Sequence, residues 1–195
     1  MFSAVLDTCV LFPSGQRDFL LQAAENGLYR PLWSRKIEEE LDRSLRLYRE
    51  NKGIDKEVTD AYIVRLLHQM NVSFPDARVE HIQGTELSSR NKLPDLNDEH
   101  VMMAALIGRA DVIVTNNLKD FPLTILSPYN IDVLSPDEFL TDLFDLSPTV
   151  MGNTLKVISE RTGKKGPSFT SEEVLQRLEK SCPNFVNAFH NNMDV

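Results

Sequence analysis

Asp111-Val112-Ile113-Val114-Thr115, residues 111–115, followed by Asn116-Asn117-Leu118-Lys119-Asp120, is the stretch from which the fold can be read. Its centre is apolar at consecutive positions, as expected of a strand covered on both faces in a parallel sheet, and the polar run after it leaves the strand's carboxyl end. The amino terminus repeats this arrangement. Phe2 to Leu6 reads as a short buried strand, and Asp7-Thr8-Cys9-Val10 opens the loop behind it.

Working outward, Gln16 to Gly27 predicts a helix with Phe19, Leu20, Ala23 and Ala24 on one face and Gly27 as its stop. Arg30 to Trp33 is a second strand. Ser34 then caps a helix whose inward stripe is Ile37, Leu41, Leu45 and Tyr48. A polar break at Asn51 to Gly53 precedes a helix from Asp55 to Met70, Ala77 to Ile82 reads as a third strand, and Thr85 to Lys92 as a polar loop. Pro94 restarts the chain before a helix from Leu96 to Arg109. Ile131 to Leu134 is the last strand, and Ser135-Pro136-Asp137-Glu138 opens a helix with a good cap, proline and acid in its first turn. Alternating strands and helices predict an α/β fold with three α/β/α layers around a central parallel sheet, over residues 1–144. From 145 to 195 the pattern turns helical, Ser147 to Arg161 and Ser171 to Lys180 being split by Gly163-Lys164-Lys165-Gly166-Pro167. That part reads as a C-terminal helical extension that packs on the main domain or on a partner.

Composition excludes several classes. The net charge of −8 argues against a protein that coats nucleic acid through bulk electrostatics. Seven of the 21 basic residues nevertheless fall between Arg30 and Lys52, the best candidate stretch for tracking phosphates. Cys9 and Cys182 stand far apart, which rules out a disulfide framework or a zinc knuckle. No apolar run approaches the roughly 18 residues that span a bilayer, and the N-terminus lacks the pattern of a secretory signal, so a cytoplasmic protein without a membrane segment is expected.

The chemistry lies in acids on separate segments. Parallel sheets bind ligands beyond the carboxyl ends of their strands, where Asp7 and the loop Asn116 to Asp120 both fall. At about 100° per residue, the apolar stripe of the Ser34-capped helix turns Glu39 to solvent and leaves Glu38 and Glu40 on opposite edges, with nothing in the periodicity to choose between them. Asp95 suits an N-cap. Asp98 then falls at the third helical position on the side of Val101, Met102 and Ala105, where a carboxylate needs a partner such as a cation. Asp120 suits either a turn or the site, and Asn117 has a carbonyl oxygen to offer a metal. A carboxylate-dominated set selects Mg²⁺ or Mn²⁺ over Zn²⁺. His68, His81, His100 and His190 show no metal-ligand spacing, and His100 reads as a polar helix residue.

The order VLDTCVL, IEEEL, PDLNDEHVMMAA and ADVIVTNNLKDFP, spanning roughly residues 1 to 144, resembles the PIN-domain nucleases, in particular the VapC-like toxin branch. IVTNNLKDFP followed by SPDEFL is especially similar to a bacterial subgroup with a helical tail. The resemblance implies Asp7, Glu40 and Asp98 as metal-site acids, with Asp120 as a further catalytic candidate and Asp95, Thr8, Thr115 and Asn117 as auxiliary residues. Where typical members carry the fourth acid in a T-x-D pattern, Thr115-Asn116-Asn117 presents an amide, a departure that leaves the fourth ligand open. The implied activity is Mg²⁺- or Mn²⁺-dependent endoribonuclease hydrolysis of RNA, with Arg43 and Arg46 holding the RNA backbone. A small antitoxin is the implied partner, and a homodimer is open as the assembly. The alternatives are a degenerate PIN module that binds RNA or protein without cutting, and a phosphotransfer enzyme. The latter fits poorly, since Asp7-Thr8-Cys9 is not the Asp-x-Asp of haloacid-dehalogenase-like phosphatases.

Overall fold

The computed structural model describes residues 1–80, 93–164 and 166–192. His81 and Ile82 of the expected third strand, the loop Thr85 to Lys92 and Lys165 lie outside the described residues. Five parallel strands, β1 Ser3–Leu6, β2 Arg30–Ser34, β3 Arg78–Val79, β4 Val112–Val114 and β5 Asp132–Leu134, form one sheet in the order β3-β2-β1-β4-β5. β1 is the pivot, because the chain first winds outward through β2 to β3 and then returns to pair β4 against its other side. The register sets Leu6 beside Val114, and the Asp7 N–H donates to the Val114 carbonyl at 3.1 Å. Asp7 and Thr115 therefore leave the sheet side by side at its topological switch point, where such folds form their binding crevice.

Ten α-helices among the described residues complete the fold: α1 Thr8–Leu11, α2 Ser14–Glu25, α3 Arg35–Asn51, α4 Lys56–Ser73, α5 Glu99–Gly108, α6 Leu123–Leu126, α7 Pro136–Leu146, α8 Pro148–Arg161, α9 Ser171–Gln176 and α10 Pro183–Asn192. The chain winds outward from β1 and then returns across it, and with the right-handed crossovers that are the rule between parallel strands the helices fall on both faces of the sheet, giving three layers. α5 lies close over β2 and β3. A Cβ added at Gly108 would come within 2.9 Å of both Leu32 and Val79, so a side chain there would push that helix off the sheet.

Local signals explain most boundaries. Ser34 Oγ accepts from the Ile37 N–H, Asp55 accepts from the N–H groups of Glu57 and Val58, and Ser135 with Glu138 forms a reciprocal capping box. Tyr48 departs from the expected inward stripe. Ile37, Leu41 and Leu45 are buried, but Tyr48 is 49% exposed, because the last turns of α3 run past the edge of the core.

The C-terminal helices are anchored to the main domain. The buried Asp137 carboxylate in the first turn of α7 accepts from the Phe185 N–H at 2.9 Å and from Asn184 Nδ2 at 2.9 Å, tying the start of α10 to α7. Phe185 meets Phe19 of α2 edge-on at 5.3 Å, and Phe189 meets Phe144 at 4.6 Å. A capping box at Thr170 and Glu173 starts α9, which ends at Gln176, short of the Lys180 expected, as the chain passes through turns before α10.

Candidate active site

Asp7 is only 5% exposed, although it leads out of a strand into the single turn of α1. One of its oxygens is held by the protein. Oδ2 accepts from Thr115 Oγ1 at 2.7 Å and from the Cys9 thiol at 3.0 Å, while Oδ1 has no hydrogen-bond partner among the described residues. Burial, with the Asp7 charge next in weight, pushes the Cys9 thiol up to about 12, so it stays a neutral donor. Thr115 is itself fixed, since the Asn117 N–H donates to its Oγ1 at 3.1 Å.

Glu38 and Glu40 differ in their contacts. Glu38 turns under the sheet edge: its Oε1 accepts from Trp33 Nε1 at 3.1 Å and Asn71 Nδ2 at 2.7 Å, and Oε2 lies 3.8 Å from Arg78 Nε. It is a buried structural carboxylate. Glu39 points to solvent and pairs with Arg35. Glu40 faces the strand ends, where its Oε2 accepts from Thr8 Oγ1 at 3.2 Å and its Oε1, like Asp7 Oδ1, has no hydrogen-bond partner among the described residues.

His100 also reaches Glu40. Its Nδ1 stands 2.6 Å from the Asn97 carbonyl, which can only accept, so Nδ1 carries a proton. Nε2 then faces Glu40 Oε2 at 3.2 Å, an ion-pair separation without the alignment of a hydrogen bond. Sequence spacing hid this residue, because its partner lies on another helix. The usable signal was its place in the first turn of α5, directly behind Asp98.

Asp95 caps the 3-10 turn Leu96–Asp98 by accepting from the Asn97 N–H, and α5 begins only at Glu99. Asp98 stands at that junction without using its side chain as a cap. Its carboxyl is raised from the ordinary 3.8 to about 6, chiefly by desolvation and then by the charges of Asp7, Asp95, Asp120 and Glu40. Acids from four segments thus feel one another around Asp98. Among the described residues, however, no three Asp, Glu, His or Cys side chains are already gathered closely enough to hold an ion. The donor set still suits one: hard carboxylate oxygens, several without protein partners, under mutual repulsion that a dication relieves.

The remaining expected residues divide. The Asn117 side chain has no hydrogen bond among the described residues, and Asp120 closes a turn with its N–H on the Asn117 carbonyl. Arg46 pairs with both Asp42 and Asp60, so its charge is already neutralised, whereas Arg43 is exposed on α3.

The raised carboxyl has a consequence for stability. Between about pH 4 and 6 the folded chain holds a proton on Asp98 that the unfolded chain has lost, so the associated stability is full below the ordinary value and vanishes as pH rises through 6. In thermal melts without divalent cations, Asp98→Asn is expected to flatten the fall in Tm between pH 5 and pH 7. An unchanged slope in that variant would rule out the electrostatic cluster.

A family model described as the PIN domain matches residues 3–119. The chain belongs to the PIN-domain family. The model takes in the PIN segments that carry Asp7, Glu40 and Asp98, and a second model, the VapC50 C-terminal domain, matches residues 136–191. This PIN chain is 40% identical over 94 residues to a Mycobacterium tuberculosis (strain ATCC 25618 / H37Rv) protein named "Putative ribonuclease VapC50", covering 46% of this chain and 52% of that protein. The chain thus spans about half the length of the curated relative it matches. No solved structure gives a significant match. Among the described residues, no helix of the PIN chain is long and apolar enough to cross a membrane.

Proposed function

We propose that this chain is a Mg²⁺- or Mn²⁺-dependent endoribonuclease and the toxin of a toxin–antitoxin pair, with residues 1–144 as the nuclease unit and 145–195 as its helical extension. One observation carries the reading. Asp98 stands near the switch point of the sheet, and desolvation, with the charges of Asp7, Asp95, Asp120 and Glu40 adding to it, gives it a carboxyl pushed up to about 6. The relative's name supports RNA as the substrate class.

Asp7, Glu40 and Asp98 would hold the cation. Bound there, the ion would supply Lewis acidity that lowers the pKa of water and positive charge that offsets the phosphodiester. The chain's own residues supply orientation. Thr115 and Cys9 fix one oxygen of Asp7 and leave the other free, and Thr8 does the same for Glu40. Holding each acid by one oxygen limits its rotation without consuming its charge. Without a cation the same acids repel the phosphodiester, so activity depends steeply on divalent ion. A small antitoxin that covers this acidic crevice would silence the enzyme.

A second reading, a module that binds RNA without cutting, draws on the amide at Asn117 and on the absence, among the described residues, of three ligands already gathered. One experiment separates the two. Incubation of the purified chain with single-stranded RNA is expected to give cleavage with Mg²⁺ or Mn²⁺ and none after EDTA. If calorimetry detects no binding of either ion and the RNA stays intact, the second reading replaces the first.

A further inference from the structure

Two cavities among the described residues do not open on the acids. One, of about 640 Å³, lies between the α1–α2 junction, the end of α3 and the C-terminal helices, and is lined by Phe12, Tyr48, Arg49, Phe169 and Arg177 among others. The other, of about 480 Å³, continues along α2 and α4 towards Arg161, and the two share Ser14, Asp18 and Tyr62. Together they form one groove. In a chain with 29 acidic against 21 basic residues, the groove reverses the balance: Arg17, Arg49, Arg65, Arg161 and Arg177 line it against only Asp18 and Glu25.

Its cations come with flat faces. The Arg177 guanidinium lies 3.6 Å from the Phe169 ring centroid and Arg49 lies 4.6 Å from that of Tyr62, while Tyr48 is 49% exposed at the mouth and braced edge-on by Phe12. Arginines stacked on rings, with the exposed Tyr48 beside them and Lys52 Nζ 5.7 Å from its centroid, suit unpaired bases and the phosphates between them. Arg17 adds a second, independent observation. It is 3% exposed and donates to the Leu11 and Phe12 carbonyls and the Tyr62 hydroxyl, all neutral. Its Nε has no partner, and among the described residues no carboxylate lies within ion-pair distance of it. Asp18, whose carboxylate feels the Arg17 charge, stands beyond ion-pair distance, so this buried cation is incompletely neutralised and favours an anion in the groove above it.

The groove connects to the acids. Tyr48 follows Glu40 by eight residues on α3, about 12 Å along the helix at 1.5 Å per residue, and α1 links Asp7 to Phe12. We infer that this groove, part of it built by the C-terminal extension, binds the single-stranded flank of the RNA substrate, stacking bases on Tyr48 and Arg177. This rests on the nuclease reading for the identity of the substrate. A protein segment would need acidic side chains to match the charge and would leave the flat faces unused.

The test is fluorescence anisotropy of a fluorescein-labelled oligouridylate of about 12 nucleotides on the full Asp98→Asn chain, which keeps the RNA intact, in Mg²⁺ buffer. Tyr48→Ala and Arg177→Ala are each expected to weaken binding about tenfold, and Arg177→Ala to reduce the slope of log Kd against log salt by about 0.7. Unchanged affinity in both variants, with the parent binding, would overturn the groove and leave the nuclease reading standing. Affinity lost together with a lower Tm and an unchanged salt slope would overturn it as well. So would a parent that binds a polyglutamate peptide and not the RNA. If the groove variants behave as expected but the native chain never cuts RNA, the nuclease reading falls and the groove stands.

Discussion

Asp98→Asn is expected to reduce divalent-ion-dependent RNA cleavage on the order of a thousandfold, comparable to removing a principal electrostatic group from an active site. The substitution keeps shape and hydrogen-bonding reach while removing one negative charge from the centre of the acidic cluster. Asp98 is the right residue to ask, because it is lifted to about 6 by burial and by four neighbouring carboxylates, so its charge depends on a compensating ion. The loss will not reflect misfolding. Asp98 makes no side-chain cap, and replacing a repelled carboxylate with an amide removes an unfavourable term from the cation-free chain. Initial rates with Mn²⁺, read beside thermal melts, check both halves. Wild-type cleavage by the variant would remove Asp98 from the mechanism and return attention to Asp120 as the third acid.

The sheet was legible because each strand is short, apolar and followed at once by a polar break, and the caps at Ser34, Asp55, Ser135 and Thr170 announce their helices by residue type. The single turn of α1 was not, since Thr8 to Leu11 is too short for any periodicity to show. Asp7, Asp98 and the loop after β4 were readable from their place behind strands or before a helix. Glu38 and Glu40 were not separable from the sequence, because both flank the same stripe. Only tertiary neighbours, Trp33 and Asn71 for one and Thr8 and His100 for the other, distinguish them. Tyr48 and Arg46 show the same limit from the other side. A stripe position was exposed at the end of its helix, and a cation expected to meet RNA was met by Asp42 and Asp60. In each instance the deciding contact spans elements that local sequence does not relate.

The largest effect on stability is expected from Phe185→Ala, about 3–5 kcal/mol, the usual cost of truncating a buried aromatic side chain. Phe185 is fully buried and stands between Phe19 of α2 and Phe189 of α10, with ring centroids 5.3 and 5.1 Å away at 80° and 88°. It joins the C-terminal helices to the core built on the sheet. Its own N–H is committed to Asp137, so the backbone holds while the side chain leaves, and the neighbouring rings cannot close the void without breaking that clamp. Because domains of this size have about 5–15 kcal/mol of stability, the loss is a large share of the whole. Urea unfolding followed by far-UV circular dichroism and tryptophan fluorescence is the measurement, Trp33 being buried in the sheet domain and the only tryptophan. A single transition moved to lower urea, seen alike by both probes, is the expected result, since α7, α8 and α10 share their buried surface with α2. If the tryptophan midpoint stays where it was while part of the helical signal melts early, the extension unfolds as a unit of its own, and its part of the groove can be lost without loss of the acidic site.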